Sequence, residues 1–212
     1  MIPSSYSFIR ELTNCPHKAY RKFITRDLPK EDTDALREGE RVHKMMEEAI
    51  NNKRPLTAVP QRHWSFVTPL SKEGAQAEVK YGMTIDRQPA DYWANPWFRG
   101  KVDVQVIHGD TAFVLDWKTG QRISEDPREL NCQAMLIQAN HPHIQHFTGC
   151  YVWLAYNKVG TMHTLNPERC YYGTVAAMKG ALLHESDNYW PKRENPLCPY
   201  CPVKDCEFNR AD

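Results

Sequence analysis

Three charged side chains stand out in residues 99–118. The segments at 99–107 and 111–117 are predicted to be neighbouring strands, and each carries one aspartate, Asp103 and Asp116, among apolar residues. Side chains alternate between the faces of a strand, so Lys118 should emerge on the same side as Asp116. Two carboxylates that face each other in an apolar sheet repel unless a cation lies between them. The pattern therefore predicts a site for Mg²⁺ or Mn²⁺.

Such a site would suit hydrolysis of a phosphodiester. A bound divalent ion can hold a phosphate oxygen and lower the pKa of a coordinated water, while Lys118 orients that water or stabilises charge on the phosphate. A D-x-K triplet alone is expected about once by chance in a chain of this length, so its context carries the argument. Asp103 and Asp116 would be costly in apolar strands without a partner. A structural salt bridge among the three residues is the alternative.

Two further polar residues fall on predicted helices. In a helix at 32–50, apolar residues recur at intervals of three or four on the same face as Gly39 and His43. His43 should therefore point inward, either as a core histidine or as a ligand. Gln133 lies on a second predicted helix at 127–140, where such a residue taken alone is more often a cap or a surface residue.

Taken in order, these residues resemble the motifs of a known enzyme family. The series, with similar intervals, resembles the RecB-like branch of the PD-(D/E)XK nuclease superfamily: Gly39-x-x-x-His43, Gly100-x-x-Asp103, Asp116-x-Lys118 and Gln133. Together with the cysteines described below, the resemblance covers nearly the whole chain.

The resemblance implies roles for individual residues. The implied metal ligands are His43, Asp103, Asp116 and the carbonyl of Trp117. Lys118 would be catalytic, and Gln133 would support the lysine or contact DNA. The family often has a tyrosine four residues after the glutamine, where this chain has Ile137.

The seven cysteines do not fit a disulfide framework, since the number is odd and no signal peptide is visible. Cys198, Cys201 and Cys206 lie in a Pro-interrupted tail, where close thiols outside regular structure indicate metal ligands. Cys15, followed by Pro16, is the candidate fourth ligand. Iron–sulfur nucleases of the RecB-like and CRISPR-associated exonuclease families have a similar arrangement, with one cysteine before the core and three after it. The resemblance implies a [4Fe-4S] cluster, and Zn²⁺ is the alternative.

The predicted elements follow the order helix, β-meander, helix, strand, helix. Strands are expected at 77–85, 99–107, 111–117 and 149–156, and a last helix at 167–186. This order predicts an α/β fold with a mixed central sheet flanked by helices. The resemblance implies a restriction-endonuclease-like core.

One domain at 1–212 is expected, because no linker rich in Gly, Ser or Pro divides the chain. Its core would span about 30–187. A Cys-rich region at about 5–24 and 190–212 would join the two ends of the chain through the cluster.

The composition and charge of the chain limit the classes of function that it could have. A net charge of +1 gives no general attraction to nucleic acid, so any basic surface must be local. Neither a targeting segment nor an apolar run of membrane-spanning length is visible, so a cytoplasmic protein without a membrane partner is expected. A helicase within this chain is excluded, because no GK[ST] loop occurs in the sequence.

The sequence thus predicts a divalent-metal-dependent deoxyribonuclease. We expect an exonuclease that acts on single-stranded DNA or duplex ends in recombination, replication or CRISPR-type processing, alone or beside a separate helicase or a recombination or adaptation partner. The alternatives are a structure-specific endonuclease, a non-catalytic DNA-binding module with a four-cysteine metal site, and a four-cysteine zinc interaction protein.

Overall fold

The computed structural model describes residue 2, residues 4–29 and residues 32–210. The predicted domain at 1–212 and the predicted core from about 30 include a few residues outside this description. The chain forms two compact units, one of Met1–Glu31 with Tyr171–Asp212 and one of Asp32–Cys170. The single-domain organisation stays a prediction.

The helices and strands of the described residues are as follows. The α-helices are α1 (Tyr6–Asn14), α2 (Pro16–Ala19), α3 (Asp34–Ile50), α4 (Trp64–Lys72), α5 (Arg128–Asn140) and α6 (Pro167–Ser186), with a π-helix at Tyr20–Thr25 and 3₁₀ turns at Leu56–Ala58, Gln61–His63 and Cys198–Tyr200. The strands are β1 (Gln76–Met83), β2 (Pro89–Ala90), β3 (Phe98–His108), β4 (Thr111–Lys118), β5 (His146–Trp153), β6 (Lys158–Val159) and β7 (His163–Thr164).

All of these strands belong to one mixed sheet. Its order is β2-β1-β3-β4-β5-β6, and β7 also pairs with β5. The meander β1-β3-β4 is antiparallel, whereas β4 and β5 are parallel and are joined through α5. This connection is the βαβ arrangement that places a helix against the face of a sheet.

Helices of the 32–170 unit bury both faces of the sheet. On one face α3 and α4 contribute Met46 and Val67 to a core that includes Val104 and Trp117. On the other face α5 packs against the sheet through a second buried cluster that includes Leu130, Ala134, Ile137, Val114 and Tyr151. The predicted α/β fold, a mixed central sheet flanked by helices, is confirmed.

Two helical segments differ from what the sequence suggests. Residues 5–24 read as a single helix in the sequence, but the structure interrupts it at Cys15, which has extended backbone angles (φ −157°, ψ 107°). The residue before a proline is disfavoured in the helical region, and Pro16 follows directly. Helix α4 was not anticipated because Pro69 lies inside it, yet Val67 and Leu70 bury its inner face. Among the described residues, none of the helices combines the length and the hydropathy needed to cross a membrane.

Gly149 provides a test of the β4–β5 pairing. A Cβ added there would lie 2.6 Å from the carbonyl oxygen of Val114, which is closer than Cβ atoms approach backbone. Gly149→Ala should therefore lower the free energy of unfolding by about 1–3 kcal/mol, as overpacking does in well-packed cores. Urea unfolding followed by circular dichroism measures the change.

Gly120→Ala is the matched control, because a Cβ at Gly120 in the same unit meets nothing within 4 Å. It should leave stability unchanged or raise it slightly. Equal unfolding midpoints for the two variants would contradict the close approach of β4 and β5.

Candidate functional site

The two predicted aspartates lie side by side on neighbouring strands. Val104 of β3 pairs with Leu115 of β4, so Asp103 and Asp116 occupy the next positions on the two strands. Asp116 is 2% exposed, and Asp103 is largely buried. The backbone N–H of Trp117 donates to Oδ2 of Asp103 at 3.2 Å. Burial on adjacent strands brings the two carboxylates into direct electrostatic contact.

A third carboxylate joins them through a distortion of β1. Glu78 has φ 55°, although the residues on either side, Ala77 and Val79, pair regularly with Val104 and Val102 of β3. A residue other than glycine in the left-handed region costs roughly 1–3 kcal/mol and persists only where the surroundings hold it. The distortion places the Glu78 carboxylate beside His43 and Asp103.

His43, Glu78 and Asp103 form a group that could hold a metal ion. Nδ1 of His43 lies 3.5 Å from Oδ2 of Asp103 and 3.7 Å from Oε1 of Glu78. One ligand atom from each residue falls within 4.8 Å of the other two. Imidazole nitrogen and carboxylate oxygen suit Mn²⁺, and the carboxylates suit Mg²⁺.

Two glycines allow the flanking helices to approach this site. A Cβ at Gly39 of α3 would lie 3.0 Å from Oγ1 of Thr119, the residue after Lys118. A Cβ at Gly100 would lie 2.9 Å from Cδ1 of Leu136 on α5. The glycines of the two sequence motifs therefore have a packing role beside the polar residues.

The acids of the site carry shifted pKa values. Burial raises the pKa of Asp116 well above its usual range, and the charge of Asp103 raises it further. Burial also raises the pKa of Asp103, although the charge of His43 partly opposes the shift. Burial alone would raise the pKa of Glu78, but hydrogen bonds with His43 and Lys101 lower it overall. Burial and repulsion from neighbouring carboxylates thus act in the same direction on the two aspartates, and each raises their pKa values.

The negative charges around His43 raise its pKa. Burial would lower its pKa, but the hydrogen bond with Glu78 and the charges of Asp103 and Asp116 outweigh burial and raise it. The acids therefore favour a positive charge at the position of His43.

Lys118 is held between two acids. Its Nζ lies 2.7 Å from Oδ1 of Asp116 and 2.7 Å from Oε2 of Glu129, and 5.1 Å from the centre of the Tyr151 ring. Burial would lower the pKa of Lys118, but the charges of Asp116 and Glu129 raise it overall. The ammonium group therefore stays protonated at neutral pH.

Gln133 also contacts the buried aspartate. Its Nε2 donates to Oδ2 of Asp116 at 3.0 Å. Ile137, at the position where the resembling family often has tyrosine, is fully buried in the core beneath α5. The glutamine thus supports the aspartate, and the position one turn later contributes only packing.

The structure brings together the sequence-predicted residues His43, Asp103, Asp116, Lys118 and Gln133 through the contacts above. Trp117 contributes its backbone N–H to Asp103, while its side chain lies in the core on the α3 side. The role of the Trp117 carbonyl as a metal ligand stays a prediction.

Sequence reasoning missed Glu78 and Glu129. Glu78 lies in a segment that reads as a regular strand. Glu129 lies in the first turn of α5, where acidic residues are common because they interact favourably with the helix dipole. Its spacing to Gln133, one turn later on the same helix face, is the signal that could have identified it.

The second predicted site lies in the unit formed by the two ends of the chain. Cys15, Cys198, Cys201 and Cys206 line one pocket, together with Lys18 and other residues. The backbone N–H of Asn195 donates to Sγ of Cys198 at 3.3 Å. Hydrogen bonds of this kind stabilise a thiolate and are common around metal-bound sulfur. The four predicted ligands therefore share one pocket.

The other three cysteines lie in the 32–170 unit. Cys132 and Cys150 are buried. Cys170 is half-buried, and its Sγ lies 3.4 Å from Sγ of Cys132. These residues contribute to packing and do not line the four-cysteine pocket.

The buried carboxylates should destabilise the metal-free protein. Asp116→Asn removes one of two adjacent buried carboxylates, leaves Lys118 paired with Glu129, and keeps one oxygen that can accept from Lys118 or Gln133. It should therefore raise the melting temperature in EDTA by at least about 2 °C. Because the folded-state pKa of Asp116 is raised, the wild-type folded state binds more protons than the unfolded state above about pH 4. Its metal-free stability should fall as pH rises through that window, and the variant should show a smaller decline.

Thermal unfolding in EDTA across pH, repeated with Mn²⁺, measures both effects. Asp110→Asn is the control, since Asp110 lies in the exposed turn between β3 and β4. The interpretation that the buried carboxylates destabilise the protein fails if Asp116→Asn melts below wild type in EDTA. It also fails if added Mn²⁺ stabilises both proteins equally.

No protein-family model matches this chain, and no curated protein matches it by sequence. Solved structures resemble it in fold. A structure from Eubacterium rectale named "Putative exonuclease" superposes with a TM-score of 0.54 at 12% identity, covering 99% of this chain and 88% of that chain. The crystal structure of SSO0001 gives a TM-score of 0.46 at 13% identity, covering 95% of this chain and 85% of that chain. The likeness to the Eubacterium rectale structure extends over nearly the whole chain and shows a shared α/β fold.

Proposed function

We propose that this chain is a divalent-metal-dependent deoxyribonuclease of the RecB-like PD-(D/E)XK type, acting as an exonuclease on DNA ends or single strands. The observation that carries the proposal is the buried pair Asp103 and Asp116, with Lys118 bound to the second aspartate and His43 beside the first. The fold shared with the structure named as an exonuclease agrees with it.

The metal ion would be held by Asp103, Asp116 and His43, with Glu78 as a further ligand. The bound ion would lower the pKa of a coordinated water and polarise the scissile phosphate. The side chains around it are arranged in advance, because Trp117 N–H holds Asp103 and Gln133 holds Asp116. Such support keeps carboxylates in the orientation that a metal requires.

Lys118 acts as a fixed positive charge in this proposal. Its raised pKa disfavours a role as general base at neutral pH, because it would have to lose its proton first. A protonated lysine can instead donate a hydrogen bond to the attacking water or neutralise charge that develops on the phosphate. Glu129 holds its ammonium group from the other side.

Degradation of end-labelled DNA tests the activity. Linear single-stranded DNA, linear duplex and a closed circle are incubated with Mg²⁺ or Mn²⁺ and the wild-type protein, Asp116→Ala or Lys118→Ala. Wild type should shorten linear DNA, and each variant should lose at least about 100-fold in rate, because each removes charge stabilisation at the reacting phosphate.

Asp110→Ala and Lys72→Ala are the matched controls: Asp110 is exposed in the turn between β3 and β4, and the exposed Lys72 ends α4 near that turn, where the next residue, Glu73, contacts His108. They should retain full activity. Cleavage of the closed circle would show that the enzyme is an endonuclease and not an exonuclease. An inactive wild type with its cluster intact, or an Asp116→Ala variant as active as wild type, would favour a non-catalytic DNA-binding module.

We further propose that the four-cysteine pocket holds a structural [4Fe-4S] cluster. A tetrahedral zinc site places its sulfur atoms about 3.8 Å apart, given Zn–S distances near 2.3 Å. Within the described part of the chain, the one group of three or more His, Cys, Asp or Glu ligand atoms within 4.8 Å of one another is His43, Glu78 and Asp103. The four cysteines thus line the pocket at wider spacing, which suits a cluster of several iron atoms better than a single ion.

Anaerobic purification tests this assignment. Wild type should carry about four iron and four sulfide per chain with broad visible absorbance, and Cys198→Ser and Cys201→Ser should lose both. Cys132→Ser, in the other unit, should keep the full iron content. One equivalent of zinc without iron in the anaerobic wild type would replace the cluster by a zinc site.

A further inference from the structure

An exposed tryptophan marks a second surface of the 32–170 unit. Trp93, in the turn between β2 and β3, exposes 70% of its surface. Tyr92 packs edge-on against it, with ring centres 4.8 Å apart. A tryptophan is rarely left this open, since its burial would contribute more than that of any smaller side chain.

The turn that presents Trp93 is fixed in place. Oδ1 of Asp91 accepts hydrogen bonds from the backbone N–H groups of Trp93 at 2.7 Å and Ala94 at 2.9 Å. The turn also packs closely on β1, because a Cβ at Gly82 would lie 2.7 Å from the carbonyl oxygen of Ala90. The exposure of Trp93 is therefore a property of the folded turn.

Cations lie directly against these rings. Nζ of Lys80 is 5.1 Å from the centre of the Trp93 ring and 5.8 Å from that of Tyr92. The guanidinium carbon of Arg99 is 5.2 Å from the Tyr92 ring, and Nη1 of Arg99 donates to the Tyr92 carbonyl oxygen at 3.1 Å. Exposed aromatic faces backed by positive charge occur where proteins bind single-stranded nucleic acid.

The same strands connect this surface to the carboxylate site. Lys80 follows Glu78 by two residues on β1, about 7 Å along the strand. Lys80 pairs in register with Lys101 of β3, and the Lys101 ammonium contacts the Glu78 carboxylate. Two lysines, Lys101 and Lys80, thus lie between the metal-ligand group and Trp93.

We propose that Trp93, Tyr92, Lys80 and Arg99 form a platform for single-stranded nucleic acid, on which one base stacks against Trp93 while the cations contact phosphates. The proposal rests on the proposed nuclease function and specifies the form of its substrate. A base must be unpaired and turned outward to stack on a side chain, and the bases of a duplex are stacked inside it. The platform therefore favours single strands over duplex.

Binding in EDTA tests the platform without requiring cleavage. The affinity of a fluorescein-labelled single-stranded 12-mer and of the matching duplex is measured by anisotropy for wild type, Trp93→Ala and Trp93→Phe. Trp93→Ala should weaken single-strand binding by about 5- to 100-fold, the loss typical of one stacking side chain, with little change for duplex. Trp93→Phe keeps an aromatic face and should lie closer to wild type.

Two further variants separate stacking from charge. Lys80→Ala should reduce the slope of log affinity against log salt by about 0.7, as expected for one phosphate contact on a single strand. Tyr172→Ala removes an aromatic residue that is 59% exposed on α6, outside the platform, and should bind as wild type. Unchanged single-strand binding by Trp93→Ala, or equal losses for single strand and duplex, would overturn the platform and leave a protein partner as the occupant of this surface.

Hydrolysis of bis(p-nitrophenyl) phosphate separates this inference from the proposed function, because this diester has neither the nucleobases nor the strand that the platform would bind. Wild type and Trp93→Ala should hydrolyse it equally with Mn²⁺, while Trp93→Ala raises the KM for single-stranded DNA. Loss of binding in Trp93→Ala with an inactive wild type would uphold the platform and refute the nuclease. Active wild type with unchanged binding in Trp93→Ala would uphold the nuclease and refute the platform.

Discussion

Two carboxylates buried on adjacent strands are the constraint around which the 32–170 unit is organised. Asp116 lies on β4, which has β3 on one side and β5 on the other, so water has little access to it. An isolated charge in such a place would be expelled or neutralised. The neighbouring residues lower this cost in two ways, since Lys118 supplies a counter-charge and Gln133 supplies a hydrogen bond. Burial nevertheless raises the pKa of Asp116 well above its usual range.

The distortion of β1 belongs to the same arrangement. A regular strand would alternate Ala77, Glu78 and Val79 between the two faces, and the left-handed backbone at Glu78 breaks this alternation. The result is a third carboxylate beside the pair, and hydrogen bonds with His43 and Lys101 stabilise its charged form. Residues that cost stability and adopt strained backbone are typical of functional sites, because selection for activity maintains what packing alone would remove.

The sequence allowed the prediction of most of this fold and part of the site. Alternating apolar residues identified β1, β3, β4 and β5, because period-two burial is a local property of each strand. Asp103 and Asp116 were visible for the same reason, since each breaks that alternation. The role of Glu78 could not be predicted, because it depends on a left-handed backbone conformation, and the sequence has neither glycine nor asparagine at this position to indicate one. Helix α4 was hidden by Pro69, since packing of Val67 and Leu70 overrides the local preference.

The four-cysteine pocket imposes a different constraint, which acts on the order of events in folding. Cys15 lies before the sheet-forming residues, and Cys198, Cys201 and Cys206 lie after them, so their pocket cannot assemble until the chain between them has been made. Closing so long a loop restricts the unfolded chain, and a covalent link of this span would contribute ~5 kcal/mol. A cluster in this pocket would therefore add to contacts that already join these segments, such as the ion pair of Arg21 with Asp205. The two proposed metal sites would then differ in physical role, since the carboxylate site would cost stability until a cation binds, whereas the cysteine site would add stability with its cluster in place.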